Sequence, residues 1–166
     1  LSTGDLVNNG KKLAQYHVYL TAMKALNSPL INIIGNHDYD IWDFERSDGR
    51  LDRTKHWEQL IGPRYFSFDF GDYHILCLDS FNYNHVQKAW VEKDLSLIPK
   101  GQPILVYKHN LPTKEQLDFL AGYNTKAIFS GHWHGTREAR YKDIININSA
   151  PLGFGGIDLA ARGFRT

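Results

Sequence analysis

Four polar clusters in this sequence carry side chains that bind metal ions: Asp5 after Gly4, Asn36-His37-Asp38 after Gly35, His109, and His132-Trp133-His134 after Gly131. Each comes directly after a short apolar run. Asp5 follows what reads as the tail of a strand, Asn36 follows Leu30-Ile31-Asn32-Ile33-Ile34, His109 follows residues 104–108, and His132 follows residues 127–130. Loops at strand ends gather at one edge of an open α/β sheet, where such folds bind ligands, so these distant residues are expected to converge. Carboxylate and amide oxygen mixed with imidazole nitrogen suits Zn, Mn or Fe rather than Ca or a thiolate-loving ion. Cys77 is the only cysteine, which excludes a thiolate cage and an intrachain disulfide. The chemistry such a site supports is Lewis-acid hydrolysis. Two ions roughly 3.5–4 Å apart clamp a phosphoryl group, deprotonate a water and stabilise attacking and departing oxygens, which points to phosphoester cleavage.

Taken singly, the pieces have plainer readings. Asp5 after a glycine is a common turn or capping residue. His109 before Asn110-Leu111-Pro112 reads equally as a histidine packed at a strand end. His132 and His134 would splay apart on extended backbone, although Gly131 and Gly135 favour a turn that brings them together. The Gly35-Asn36-His37-Asp38 cluster is tighter, because one turn forces an amide, an imidazole and a carboxylate into company. His17, His56, His74 and His85 lack such context and read as surface or packing residues.

Periodicity defines the secondary structure behind these clusters. Leu13, Tyr16, Leu20, Met23 and Leu26 recur at helical spacing, with a stop expected at Asn27 before Pro29. Residues 30–34 suit a buried strand ending at Gly35. Residues 39–54 read as a long surface loop, 55–61 as a short helix, and 65–70 with 73–78 as a hairpin about Gly71-Asp72. Val86, Trp90, Val91, Leu95 and Ile98 mark another helix, 104–107 a strand, 114–120 a helix, 127–129 a strand, and 137–141 with 144–147 a closing hairpin. Strands alternating with helices beside hairpins predict an α/β class: layered mixed β-sheets flanked by helices. The glycine-rich tail, Gly153 to Gly163, reads as turns more readily than as a phosphate cradle.

With 166 residues, 42% of them apolar and 22% charged, the chain suits one folded domain and excludes disorder as its description. A net charge of +1 gives no electrostatic footprint for a nucleic-acid backbone. No stretch approaches the roughly 20 apolar residues of a membrane span.

In order, spacing and strand context, the clusters resemble the calcineurin-like metallophosphoesterases, which are marked by G-D, G-N-H-[DE], a lone His after a strand, and G-H-x-H. Here these are Gly4-Asp5, Gly35-Asn36-His37-Asp38, His109 and Gly131-His132-Trp133-His134, spread over nearly the whole chain. The resemblance implies a sandwich of mixed sheets, residues 1–166 as one such domain, and a dinuclear centre of divalent transition metal ions at the strand ends. It implies that Asp5 bridges both ions, that Asn36, His109 and His132 complete one, and that His134 serves the other. His37 would contact the phosphoryl oxygen or protonate the leaving group, with Asp38 orienting its ring. Family members open with an Asp-x-His motif on the first strand, which would lie before Leu1. The sequence is therefore expected to be an internal piece of a longer protein, truncated at the first strand and less stable than its parent. Two ions are expected in the parent, and in this chain one well-held ion with one weak or empty position.

The resulting expectation is an enzyme that hydrolyses phosphomonoesters or phosphodiesters by in-line attack of a metal-bound hydroxide, on a phosphorylated small molecule or a phosphoprotein. The alternative is a catalytically weak scaffold of the same fold that binds protein partners; a nuclease is disfavoured by the near-neutral charge. Tyr39, Trp42, Phe44, Arg46, Arg50, Arg53 and Trp133 read either as a substrate-pocket wall or as ordinary solvated residues. The long loop after Asp38 and the glycine-rich tail look like exported bacterial phosphoesterases, so an extracytoplasmic location is favoured.

Overall fold

The computed structural model describes residues 1–40 and 51–152. The apolar runs become six strands of one mixed sheet: β1 (Phe66–Phe70), β2 (Tyr73–Leu78), β3 (Ile104–Lys108), β4 (Thr125–Ser130), β5 (Arg137–Tyr141) and β6 (Ile144–Asn148). Their order is β1-β2-β3-β4-β6-β5. The central strands β2, β3, β4 and β6 run parallel, and each edge is closed by an antiparallel hairpin partner, β1 on β2 and β5 on β6. The class is therefore α/β, a mixed sheet flanked by helices.

Alternation along the strands sends successive side chains to opposite faces. Leu76, Leu78, Ile104, Val106 and Ile128 form one core with Val91, Leu95 and Leu120. Those partners lie on α3 (His85–Leu97) and α4 (Lys114–Leu120), the crossovers that carry the chain from β2 to β3 and from β3 to β4. Ile75 and Cys77 form a second core with Ile33, Phe66, Phe68, Leu105 and Tyr107. Both crossover helices start on built caps. The Asn84 side chain accepts the N–H groups of Val86 and Gln87, and Thr113 and Gln116 bond reciprocally across the first turn of α4. A third cluster joins Val7, Ile34, Tyr16 of α1 (Leu13–Met23) and Trp57 of α2 (Lys55–Leu60).

Two expectations need correction. Residues 30–34 do not form a strand with a ladder; they make a single parallel bridge, Ser2 to Asn32. The Ser2 N–H donates to the Ile31 carbonyl at 2.8 Å and the Ile33 N–H to the Ser2 carbonyl at 3.1 Å, after which Gly4 turns the partner away with φ +102°. The first helix ends at Met23 rather than Leu26, because the chain tightens into i→i+3 bonds from Ala25 to Ala22 and from Leu26 to Met23. Trp42, Phe44, Arg46 and Arg50 of the expected loop, and the tail at 153–163, lie outside the described residues. Among the described residues, no helix is long and apolar enough to cross a membrane.

Candidate metal centre

Parallel pairing brings the strand-end clusters together. Beyond β3 and β4, the Gly131 N–H donates to the His109 carbonyl at 2.9 Å, so His109 and His132 leave the sheet side by side. The Ser2–Asn32 bridge does the same for Asp5 and the Asn36–Asp38 turn. Close approach demands glycine at two places. A Cβ on Gly35 would lie 2.3 Å from Asp5 Oδ1 and 2.4 Å from the Asp5 nitrogen, and one on Gly4 would lie 2.5 Å from His109 Nδ1. Asp5, His132 and His134 themselves sit in left-handed backbone, at φ 57°, 64° and 51°. Such conformations cost of order 1–3 kcal/mol each and concentrate at functional sites.

Four donor atoms converge. His109 Nε2 lies 3.0 Å from Asn36 Oδ1, 3.3 Å from Asp5 Oδ2 and 3.2 Å from His132 Nδ1. His132 Nδ1 is 2.9 Å from Asn36 Oδ1. Asp5, His109 and His132 each offer a ligand atom within 4.8 Å of the others. The donor atoms are of the types that hold a divalent cation. His109 Nδ1 sits 2.6 Å from the Thr3 carbonyl, which can only accept, so Nδ1 carries the hydrogen. That leaves Nε2 as the ring nitrogen that faces Asp5 Oδ2, Asn36 Oδ1 and His132 Nδ1. With His109 neutral, Nε2 would offer its lone pair to a divalent cation held among these atoms, and the donor set fits Zn, Mn or Fe. Burial, then the neighbouring His109, push His132 below its ordinary pKa and favour the neutral imidazole that a metal requires. Burial alone would raise the Asp5 carboxyl, but the hydrogen bond and charge of His109 bring it below the ordinary carboxylate value.

The expected partners of His37 and Asp38 are corrected. Adjacency pairs Asp38 with the His37 ring, yet it is the carbonyl of Asn8 that faces His37 Nδ1, at 2.9 Å. Asp38 is fully buried. Its carboxylate accepts the N–H groups of Asp5 (2.9 Å), Leu6 (2.8 Å), Val7 (3.2 Å) and Gly35 (2.8 Å). Residues 36–38 form one turn of 3₁₀ helix, in which successive side chains point about 120° apart, so neighbours in sequence do not face one another. Asp38 is thus a clamp that ties the Asp5 loop to the Gly35 turn. Burial pushes its carboxyl up to about 7, against the N–H donors of Gly35 and Val7. The His37 N–H donates to Asp5 Oδ1 at 2.9 Å, which leaves Oδ2 turned toward His109. His134 is not a member of the tight ligand group, although its charge is near enough to act on His132.

Several supporting residues escape a reading of the sequence. Ser80 Oγ accepts the N–H groups of His109 and Asn110 at 3.0 and 2.9 Å. At the end of β6, buried Asn148 donates to the Gly135 carbonyl at 2.6 Å and so holds the loop that carries His132 and His134. Asp79, the first residue after β2, accepts the Phe81 and Asn82 N–H groups and the Tyr39 hydroxyl. A signal for them exists: β2 is a central parallel strand, and the residues after it fall on the same edge as those after β3 and β4.

The sheet is centred on parallel strands and carries its mixed Asp, Asn and His cluster at the strand ends. The chain belongs to the calcineurin-like phosphoesterase family, whose profile matches residues 1–136. Among solved structures it is similar to a purple acid phosphatase from yellow lupin (Lupinus luteus) seeds, with a TM-score of 0.71 at 14% identity over 87% of this chain and 35% of that one. It is also similar to the phosphopantetheinyl hydrolase of Mycobacterium tuberculosis, with a TM-score of 0.55 at 14% identity over 89% of this chain and 77% of that one. At such identities the likeness is one of fold, and the chain spans about a third of the lupin enzyme's length. No curated protein matches it in sequence.

Proposed function

We propose that this chain carries the active site of a phosphoesterase that hydrolyses phosphomonoesters or phosphodiesters of a small molecule or a phosphoprotein. The observation that carries the reading is His109 Nε2: with Nδ1 committed to the Thr3 carbonyl, it faces Asp5 Oδ2, Asn36 Oδ1 and His132 Nδ1. A divalent Mn, Zn or Fe ion held there would supply Lewis acidity for a phosphoryl oxygen and a nucleophilic water. Asp5, Asn36, His109 and His132 would hold the tighter of two ions. Asp5 and His134 would contribute to the second. His37 keeps its Nδ1 hydrogen on the Asn8 carbonyl, so Nε2 is the nitrogen that binds a phosphoryl oxygen or gives a proton to the leaving alkoxide. Asp38 acts at one remove, through the loop that it clamps. His132 is exposed, which leaves the cluster open to substrate.

The test pairs elemental analysis with turnover of aryl phosphate monoesters and diesters in added Mn or Zn. The wild type should hold stoichiometric metal and turn over. Asp5→Asn should lose metal, whereas His37→Ala should keep it and lose about 10²–10⁴ in kcat, the usual worth of a positioned proton donor. A wild-type protein that holds no metal and cleaves neither class of ester overturns the proposal.

A further inference from the structure

The loop that carries His132 and His134 is short and strained. Both histidines hold left-handed backbone, at φ 64° and 51°, a conformation that a non-glycine residue keeps only where its surroundings hold it. Relaxing the His132 φ to the ordinary negative range would swing its ring, and with it the Nδ1 that lies 2.9 Å from Asn36 Oδ1 and 3.2 Å from His109 Nε2.

The end of β6 braces this loop at both ends. The Ser149 N–H donates to the Ser130 carbonyl at 3.0 Å, just before the loop, and Asn148 Nδ2 donates to the Gly135 carbonyl at 2.6 Å, at its far end. Because a carbonyl oxygen only accepts, the NH₂ of Asn148 is the half that faces Gly135, and its Oδ1 lies 3.2 Å from the Ser130 hydroxyl. One amide thus spans the loop from Ser130 to Gly135. Asn148 is 1% exposed, so little water reaches these bonds to replace them. Its backbone is paired on both sides, with Ser130 of β4 and Arg137 of β5, which anchors the amide on the sheet itself.

We propose that Asn148 is a positioning residue of the metal centre: by bracing the 131–135 loop, it keeps His132 in the strained backbone from which its imidazole meets Asn36 and His109, and so sets the affinity for a divalent transition metal ion. The proposal rests on the reading of Asp5, Asn36, His109 and His132 as a metal site. Ligands serve an ion only when bonds beyond the coordinating atoms hold them within about 0.5 Å of the binding geometry. Removing such a support costs about 10–100-fold in metal affinity. Aspartate has nearly the same shape as asparagine, but its carboxylate has no hydrogen for the Gly135 carbonyl and would set two acceptors against each other.

The experiment is calorimetric titration with Mn or Zn of chelator-treated wild type, Asn148→Asp, Asn148→Ala and Val91→Ala, at a temperature where circular dichroism shows each of them folded. Val91→Ala removes volume from the helix-side core and serves as the variant that is merely less stable. The dissociation constant should rise about 10–100-fold in both Asn148 variants and stay near the wild-type value in Val91→Ala. In the metal-free proteins, amide hydrogen exchange at residues 131–135 should quicken in the Asn148 variants relative to residues 104–108 of β3. Wild-type affinity in the Asn148 variants, or unchanged exchange at 131–135, overturns the proposal. An equal loss of affinity in Val91→Ala, the outcome for a residue that only stabilises the fold, overturns it too. Wild-type protein that binds neither ion overturns the metal-site reading itself, and the positioning role goes with it.

Discussion

Removing the Asp38 carboxylate tests how the site is held, because the clamp exists before any ion binds. Asp38→Ala strands four backbone N–H groups, those of Asp5, Leu6, Val7 and Gly35. The Val7 and Gly35 bonds are buried, and those of Asp5 and Leu6 are partly open to water. An unsatisfied buried donor costs about 1–3 kcal/mol, and a donor that water can reach costs less. The variant should therefore lose about 3–5 kcal/mol, a large share of the 5–15 kcal/mol typical of a domain. At about 2–4 °C per kcal/mol for this size, the melting temperature falls by about 10 °C. Asp38→Asn is not conservative here, since either orientation of the amide turns its NH₂ toward two N–H donors. Urea unfolding of chelator-treated protein isolates the clamp from the metal, and calorimetric metal titration then shows whether the loosened Asp5 loop weakens binding. A loss below about 1 kcal/mol in Asp38→Ala, with metal affinity intact, refutes the clamp.

Two further substitutions have expected outcomes. Gly35→Ala should abolish metal binding and destabilise the fold, because the new Cβ would lie 2.3 Å from Asp5 Oδ1 and 2.4 Å from the Asp5 backbone nitrogen; wild-type metal content by elemental analysis would rule this out. Burial raises the Asp79 carboxyl above its ordinary 3.8, against the hydrogen bond from Tyr39. The fold therefore prefers this group protonated, so its contribution to stability is complete below pH 3.8 and is lost as the pH rises through the higher folded value. Asp79→Asn removes that loss, so its urea midpoint should fall less than that of the wild type between about pH 4 and neutrality; parallel pH curves would contradict the assignment.

Much of the architecture is legible in the sequence because burial leaves a period there. β2 is buried from His74 to Leu78 and reads as an unbroken apolar run, while Val91 and Leu95 of α3 are buried at helical spacing. The strand-end rule finds Asp5, Asn36, His109 and His132, because a parallel sheet delivers the loops beyond its strands to one edge. It misses Asp79, Ser80 and Phe81 because residues 73–78 announce themselves as half of a hairpin, which hides their second role as the parallel neighbour of β3. Residues 30–34 are apolar enough for a strand, but a ladder needs a partner of equal length, and Ser2 supplies a single rung. The pairing of Asp38 with His37 looks natural from adjacency; only the tight turn reveals that the two side chains diverge.

The four converging donor side chains come from positions 5, 36, 109 and 132, so the cluster closes only when both chain halves have met across the finished sheet. No local segment can capture the ion early, and coordination must come after the slow, long-range steps of assembly. A cation bound there would act as a late fastener on the whole topology, and its departure should loosen the sheet's far-flung contacts together rather than one loop at a time.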